Sequence, residues 1–266
     1  MKRLLLIICS IIINVAVLAQ TQAPTPPKYA LLEFLKIEPG KNTDYRKDER
    51  DVWMPVHRER VKAGAIKSWS QWIVRYPGGV AREYDVVLIT TFDKFADLEN
   101  PYPAVVFANY LKENPEKKVN DVMAYTGSLR KTVRTELVQL DASANYKPGS
   151  PPAKFAAFWY QHSDVLPTIR TLVQQYWQPF HQEKANRGLL NSYAFCTMKS
   201  PTGTGREYNS ISMSFYDKFA DLETFSPPGV WEKVHPNTKA ADINAQTNAA
   251  RKLVRTEWLN LGDYVQ

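Results

Sequence analysis

The chain has 266 residues, with 34 basic and 27 acidic side chains and a formal net charge of +7. Acids and bases alternate in stretches such as 46–51 (Arg-Lys-Asp-Glu-Arg-Asp), which is typical of a solvated helix face and excludes a basic stripe for nucleic acid. With 2 cysteines the fold cannot depend on a disulfide framework, and a chain of this length can bury a core without one.

The first 19 residues predict an export signal. Lys2 and Arg3 precede the apolar run 4–18, and Ala19 is a small residue before a cut at Gln20. An uncleaved anchor is the alternative, but the run is shorter than the roughly 20 residues of a membrane-spanning helix. We therefore expect a periplasmic or secreted protein without a membrane span. After cleavage 32 basic and 27 acidic residues leave a charge of +5, and Cys196 is the one remaining cysteine.

An internal repeat follows. Residues 53–99 align without a gap onto residues 177–223 at an offset of 124, and 18 of 47 positions are identical. The segment 133–136 (Val-Arg-Thr-Glu) recurs at 254–257. A unit of about 110 residues is too long for a solenoid repeat and suits a domain with its own core. The sequence predicts a short linker, a first domain, a Pro-rich linker and a second domain, at 20–27, 28–141, 142–153 and 154–266.

Both copies predict the same elements in the same order. The first copy predicts strands and helices at Tyr29–Ile37 (strand), 43–63 (helix), 66–76 (strand), 84–92 (strand), 119–130 (helix) and from Val133 (strand). The second predicts them at 155–161, 166–187, 190–199, 208–216, 240–251 and from Val254. Gly64 and Gly188 follow the long helices, where a left-handed residue is favoured. Asp93 and Asp217 are expected to cap a further short helix.

The order βαββαβ is that of a ferredoxin-like domain, an antiparallel four-stranded sheet with helices on one face. The other face needs a partner, which a fused second copy supplies. The sequence thus predicts an α+β fold of two tandem ferredoxin-like domains, whose antiparallel sheets pack face to face as an α/β barrel within one chain. We expect a monomer with an internal pseudo-dimer, and further oligomerisation stays open.

The first candidate site is the repeated motif Trp-x-Pro-x-His-x-Glu, at 53–59 and 177–183. A proline inside a helix predicts a bend in both copies. His57 and His181 are candidate catalytic residues, as proton-transfer groups or haem ligands, and Trp53 and Trp177 are candidate ligand-binding residues. In the structural alternative, which we favour, each tryptophan packs in the core and each histidine bonds a local carbonyl. The histidines form no short pair, so we predict no metal site.

The second candidate site is Arg-Glu-Tyr, at 82–84 and 206–208, where a loop enters a strand. Tyr84 and Tyr208 are candidate catalytic donors to a ligand oxygen, and Arg82 and Arg206 are candidates for binding an anionic group. Pairing of each arginine with a nearby acid is the structural alternative, and the one that we favour.

In the last strand of each copy an arginine and a glutamate are two residues apart and share a face. These are Arg134 with Glu136 and Arg255 with Glu257. If that face lies inside the barrel, the charges must pair or bind a polar ligand, which makes both arginines candidate ligand-binding residues. If it lies near an edge, they form surface pairs of small value.

The element order, the Trp-x-Pro-x-His helix ending in glycine and the aromatic second strand resemble the dimeric α/β-barrel superfamily. Its members include EthD-like, NIPSNAP and antibiotic-biosynthesis monooxygenase-like proteins and the chlorite dismutases, and the chain resembles a tandem-repeat exported member. In monooxygenases of this superfamily the pocket lies between sheet and helices and uses Asn, Trp, Tyr, Arg or His. The resemblance implies a fold more than a reaction.

On this resemblance we expect a small apolar or aromatic ligand between sheet and helices, with no cofactor predicted. The aromatic residues of the second copy that are candidates to line the pocket are Phe158, Trp159, Tyr160, Tyr193 and Phe195. One alternative is a cofactor-free or haem-linked oxidoreductase of the monooxygenase type, and another is a purely structural module. Retention of His, Arg and Tyr in both copies favours a shared structural role, although two working sites would look the same.

Overall fold

A computed structural model of the chain describes residues 25–76, 83–147, 150, 152–203 and 205–266. The predicted export signal therefore lies outside the described residues, as do most of the linker 20–27 and the candidate Arg82. Across the described ranges, no helix combines the length and the apolar character that crossing a membrane requires.

The first half of the chain contains the predicted order of elements with additions. Its elements are β1 (Tyr29–Ile37), α1 (Asn42–Asp48), a π-helical turn (Glu49–Trp53), α2 (Met54–Lys62), β2 (Ser68–Tyr76), β3 (Val86–Phe92), a 3-10 turn (Phe95–Leu98), α3 (Ala104–Glu113), α4 (Val119–Leu129) and β4 (Arg130–Ala144). Helix α3 was not predicted from the sequence.

The second half repeats this succession. Its elements are β5 (Phe155–His162), α5 (Leu166–Leu172), a π-helical turn (Val173–Trp177), α6 (Gln178–Asn186), β6 (Ser192–Ser200), β7 (Ser210–Tyr216), a 3-10 turn (Phe219–Leu222), α7 (Val230–Val234), α8 (Ala240–Ala250) and β8 (Lys252–Val265). Short helix α7 occupies the place of α3.

The described strands form one closed antiparallel barrel in the order β1-β3-β2-β8-β5-β7-β6-β4. The α+β barrel class predicted from the sequence is confirmed. The two sheets do more than face each other, because β2 pairs with β8 and β4 pairs with β6, as at Trp72–Leu261 and Leu140–Cys196. Closure leaves no unpaired sheet edge, which satisfies backbone groups that an open edge would expose.

Alternating strand residues fill the barrel interior. The largest buried side chains there include Leu32, Phe34, Trp72, Phe158 and Tyr160. The opposite strand faces pack against the helices in three clusters, one mainly from the second half and two mainly from the first. This alternation decides which strand residues can reach a cavity under the helices, because a strand directs successive side chains to opposite faces.

Each long helix is interrupted by a π-helical turn that ends two residues before the proline. Pro55 and Pro179 have no N–H to bond the carbonyl four residues back, and their rings would clash with it in a regular α-helix. The wider π turn removes that contact. The sequence predicted a bend at each proline, and the structure has a π turn there in both halves.

Several boundaries differ from those predicted. Strands β4 and β8 begin at Arg130 and Lys252, directly after helices α4 and α8. Strand β4 continues to Ala144, inside the predicted linker, and is followed by Asn145, which has a φ of 55°. Such a left-handed residue redirects the chain.

The predicted capping role of Asp93 and Asp217 is wrong, because Lys94 and Lys218 occupy the N-cap positions. The Asp93 carboxylate instead pairs with Lys67 Nζ at 2.7 Å. Asp217 Oδ1 accepts a hydrogen bond of 3.0 Å from the side chain of Asn191.

Candidate functional site

The Arg-Glu-Tyr and Arg-Thr-Glu motifs meet inside the barrel. Tyr84, from the first half, donates to Glu257 Oε2 in β8. Tyr208, from the second half, donates to Glu136 Oε1 in β4 over 2.5 Å, and Tyr160 donates to Glu257 over 3.0 Å. We call these five residues the Tyr–Glu cluster. The Tyr84–Glu257 and Tyr208–Glu136 bonds both run between the halves of the chain, so the cluster joins them.

The strand arginines neutralise this cluster. Arg134 Nε lies 3.2 Å from Glu136 Oε1, and Arg255 Nε lies 3.2 Å from Glu257 Oε1. Of the two placements left open by the sequence, the interior one is observed, with the Arg255 side chain only 10% exposed. Burial raises the pKa of Glu136 against the opposing effects of Tyr208 and Arg134. The cluster is thus a buried ion-pair network whose partners come from the chain itself.

In the first half, His57 is occupied by a neighbour from its own helix. His57 Nδ1 lies 3.0 Å from Arg60 Nη1, and its ring stacks on Trp69 with 4.4 Å between centroids. A guanidinium only donates, so Nδ1 accepts and its lone pair is used. Arg60 Nε donates to the carbonyl of Pro101 over 2.7 Å. The bond to Arg60 differs from the predicted bond to a carbonyl, but it satisfies the ring locally in the same way.

In the second half, a cavity of about 260 Å³ lies between the outer face of the sheet and the helices. Its sheet side is formed by Trp159 and Gln161 of β5, Tyr193 of β6, and Ser212 and Ser214 of β7. Its helical side and rim are formed by Val173, Trp177, His181, Phe225, Asn244, Arg251 and Leu253. The cavity therefore combines aromatic walls with an imidazole and a guanidinium.

His181 lies in the wall of this cavity and is 4% exposed. Its ring stacks on Tyr193 with 3.9 Å between centroids. Within the described part of the chain, Nδ1 has no hydrogen-bond partner. Burial, and secondly the charge of Lys184, lower the pKa of His181 well below 6.5. The imidazole is consequently neutral at pH 7 and keeps one nitrogen lone pair.

Arg251 follows helix α8 and lies at the other side of the same cavity. Burial lowers the pKa of its guanidinium, which nevertheless stays charged at neutral pH. Among the residues with described positions, no carboxylate lies within 4 Å of it and it forms no hydrogen bond. A half-buried cation without a counter-ion is costly, so the cavity favours an anionic group.

The two halves differ at three equivalent positions. Glu49 opens the first π turn and lies 3.8 Å from Arg130, the equivalent of Arg251. Val173 replaces that glutamate in the second half. Lys184 replaces Arg60 and donates instead to the carbonyls of Thr224 and Phe225, which leaves His181 without the partner that His57 has. Gln161 replaces Leu35, and its Oε1 is buried without a partner.

The two tryptophans of the motif have equivalent contacts. Trp53 Nε1 donates to Thr126 over 2.9 Å and Trp177 Nε1 donates to Thr247 over 3.0 Å, so each anchors the long helix to α4 or α8. Trp177 additionally lines the cavity. Of the aromatic candidates in the second half, Trp159 and Tyr193 line it, whereas Phe158 and Tyr160 face the barrel interior and Phe195 packs beneath the helices.

Sequence reasoning missed Arg251 and Gln161. One substitution was a signal for Arg251, because the repeat retains the arginine at 130 and 251 while Glu49 becomes Val173. A charge kept without its acidic partner marks a position to inspect for binding. Gln161 had a similar signal, since a polar residue replaces Leu35 in an otherwise apolar strand.

In the part of the chain that the structure describes, no three His, Cys, Asp or Glu side chains are grouped to hold a metal ion. A scan against protein-family models finds no match, and a search of curated proteins finds none either.

Solved structures match the whole barrel. A protein from Lactobacillus acidophilus, described as a candidate monooxygenase, is 8% identical over 91% of this chain and 97% of its own, with a TM-score of 0.55. A protein from Fusobacterium nucleatum with the same description is 10% identical over 91% and 95%, with a TM-score of 0.53. A dye-decolorizing peroxidase from Bacteroides thetaiotaomicron is 7% identical over 92% and 96%, with a TM-score of 0.50. At such identities the likeness is one of fold, and the chain has the fold of the dimeric α+β-barrel proteins.

Proposed function

We propose that the chain is an oxidoreductase of the cofactor-free monooxygenase type, which oxidises a small aromatic compound in the cavity of its second half. One observation carries this proposal. The same cavity of about 260 Å³ is lined by the neutral, buried imidazole of His181 and by the guanidinium of Arg251, which has no counter-ion among the described residues. The description of two fold neighbours as candidate monooxygenases supports the reaction class.

The chemistry suits a substrate with an acidic methylene or hydroxyl group on an aromatic system. The lone pair of neutral His181 accepts the proton, and the positive charge of Arg251 stabilises the substrate anion that forms. The resulting electron-rich anion reduces O₂. For a methylene the balance is R₂CH₂ + O₂ → R₂C=O + H₂O, in which one oxygen atom enters the product and the other leaves as water.

Aromatic walls orient the substrate for this step. Trp159, Trp177 and Tyr193 offer ring faces and edges for stacking, and Phe225 covers the rim. Lys184 stabilises this rim, because its ammonium donates hydrogen bonds to the carbonyls of Thr224 and Phe225 over 3.3 and 2.9 Å. The aromatic walls reduce the amount of water around the anion, which strengthens the contact with Arg251.

Haem is the cofactor to test against this proposal, since an imidazole nitrogen without a partner is a potential axial ligand. The residues do not fit it as arranged. The cavity is smaller than the roughly 300–1,000 Å³ of sites for drug-sized ligands, and a tetrapyrrole is larger than those ligands. The His181 ring is also held face to face with Tyr193. We therefore derive no step through haem.

The first test is oxygen consumption with anthrone, which carries an acidic methylene between aromatic rings. We expect the protein to accelerate O₂ uptake and to form anthraquinone, with one atom of ¹⁸O₂ in the product. His181→Gln should lower the rate by about 10²-fold or more, as for loss of a general base. The matched control His57→Gln should keep it, because His57 is occupied by Arg60.

Two results would reject the proposal. One is a rate of oxygen uptake equal to that of buffer alone, and the other is an equal loss of rate in His57→Gln and His181→Gln. A haemin titration of the same samples checks the cofactor. We expect no Soret band that saturates with the protein and disappears in His181→Gln.

A second candidate function is binding without catalysis, favoured by a further cavity of about 220 Å³. It lies at one mouth of the barrel, and its inner wall contains Trp72, Ile89, Leu140, Met213 and Phe215. Such an apolar wall suits a small apolar ligand.

We also propose that the protein is exported from the cytoplasm and that its barrel originates from two tandem ferredoxin-like domains. The repeat and the basic, apolar N-terminus support them.

A further inference from the structure

We infer that the ligand of the second-half cavity is an aromatic carboxylate whose acid group pairs with Arg251. This inference rests on the proposed function, because it names the class of compound bound at the same site. The first half of the chain contains an internal counterpart of that ligand, which indicates what the second half lacks.

The counterpart is the carboxylate of Glu49. It is 1% exposed and its Oε1 lies 3.8 Å from Arg130 Nε, so this half supplies its own carboxyl group to its own guanidinium. Arg130 and Arg251 occupy the same backbone position, each directly after a helix, with φ of −152° and −148°. Glu49 thus marks where an acid group lies relative to this arginine.

The second half has the arginine and has lost the acid. Val173 stands at the first residue of the π turn, where Glu49 stands in the other half, and it is part of the cavity wall. A shorter apolar side chain vacates the space of a carboxylate beside a cation. A ligand carboxylate would restore the pairing and supply the counter-ion that a half-buried guanidinium requires.

The other residues of the cavity wall indicate the chemistry of the ligand beyond its carboxylate. Trp159, Trp177, Tyr193 and Phe225 surround the space with rings, and Gln161 Oε1 is a buried acceptor without a partner. A volume of about 260 Å³ suits a compound of one to three fused rings. An aromatic ring with a carboxylate at one end and a hydroxyl donor elsewhere satisfies the cation, the ring faces and the acceptor together.

The test is calorimetric titration with 4-hydroxybenzoate and with its neutral amide, 4-hydroxybenzamide. We expect the acid to bind at least about tenfold more tightly, as a charge-assisted contact provides. Arg251→Gln should abolish the difference. The control Lys252→Gln removes a neighbouring exposed charge and should keep the difference.

A second pair of variants tests the comparison with Glu49 directly. Val173→Glu should bring the carboxylate of the first half into the second and weaken acid binding about tenfold or more relative to Val173→Gln, which fills the same volume without charge. Thermal melts establish that both variants fold. If Val173→Glu does not fold, Arg251→Gln decides the question.

Equal affinity for acid and amide would overturn the inference, as would an acid preference that persists in Arg251→Gln. Absence of binding of both probes at millimolar concentration would also overturn it. The proposed function fails separately. Carboxylate binding without oxygen uptake on any acidic aromatic substrate would support the carboxylate ligand and reject the oxidoreductase. Oxygen uptake without a preference for the acid would support the oxidoreductase and reject the carboxylate ligand.

Discussion

The two histidines of the repeated motif show how one residue type acquires two chemical states at equivalent positions. His57 accepts from Arg60, while His181 lacks such a donor because Lys184 turns to the carbonyls at the cavity rim. The difference comes from a single substitution one helical turn further along. Residue identity in the motif is therefore insufficient to assign a role, and the neighbour three positions later decides it.

This state of His181 predicts an unusual pH profile. Burial and Lys184 hold the pKa of His181 well below 6.5, so the imidazole remains unprotonated as the pH falls through 6.5. We expect the rate of anthrone oxidation per folded protein to show no loss centred at pH 6.5, with any acid limb well below it. Rate measurements from pH 5 to 8 at constant ionic strength check this. A midpoint at pH 6.5 would contradict it.

Glu49 predicts a pH dependence of stability. Burial raises the pKa of Glu49 from 4.5 to about 7, against opposing effects of Arg130 and Tyr45. Between these two values the folded state holds a proton that the unfolded state has lost. The free energy of unfolding therefore falls as pH rises from 4.5 to 7, by at most about 3 kcal/mol.

Urea denaturation at pH 5 and pH 7 measures this contribution. Glu49→Gln stays neutral throughout, so its stability should change less between the two pH values than that of the parent protein. Asp44→Asn, at an exposed position of the same helix, is the matched control and should keep the parent's slope. An unchanged slope in Glu49→Gln would show that another group is responsible.

At the element scale, the long helices end where the sequence placed their C-termini. Gly64 and Gly188 have φ of 69° and 72°, and a Cβ at either would meet no atom within 4 Å. Only the backbone conformation therefore opposes a side chain. We expect Gly64→Ala and Gly188→Ala each to lower the free energy of unfolding by about 1 kcal/mol.

Gly127 supplies the control for these substitutions. It lies inside helix α4, with ordinary backbone angles and equally open space around its Cβ position. Gly127→Ala should raise the free energy of unfolding by about 0.5–1 kcal/mol, because alanine is the better helix former. Chemical denaturation of all three variants distinguishes the cases. Equal effects of the same sign would contradict the argument.

Residue patterns within single segments predicted most helices and strands, because these patterns reflect interactions between residues that are close in sequence. Glycine marked both helix ends and proline marked both irregular turns. Helices α3 and α7 were missed because their amphipathic faces depend on the cores beneath them, where Val106 and Val230 are fully buried. The site was predicted only in part, since the role of Arg251 depends on Val173, which is 78 positions away in sequence and lines the same cavity in the fold.

At the scale of the whole molecule, the halves form one continuous barrel. Strand pairs β2–β8 and β4–β6 join them at the sheet edges, and the Tyr–Glu cluster joins them inside. Neither half can unfold without exposing the interior that both line. We therefore expect a single cooperative transition, with near-ultraviolet and far-ultraviolet circular dichroism changing together. Two separated transitions would show that the halves are independently stable.

The Tyr–Glu cluster then predicts unequal effects of two matched substitutions. Glu257 accepts from both Tyr84 and Tyr160, whereas Tyr208 is the one hydroxyl donor found on Glu136 in the described structure. Tyr208→Phe leaves a buried carboxylate with Arg134 alone and should lower the free energy of unfolding by about 2 kcal/mol, whereas Tyr84→Phe should lower it by about 1 kcal/mol.

The ranking follows from the number of donors that each carboxylate keeps. Urea denaturation of both variants measures it, and a double-mutant cycle of Tyr208→Phe with Glu136→Gln isolates the bond between the halves. Coupling near zero would mean that this bond is satisfied equally well by other groups, and that the strand joints alone hold the barrel closed. Substantial coupling with one retained transition would show that the interior bond stabilises the barrel as a single cooperative unit.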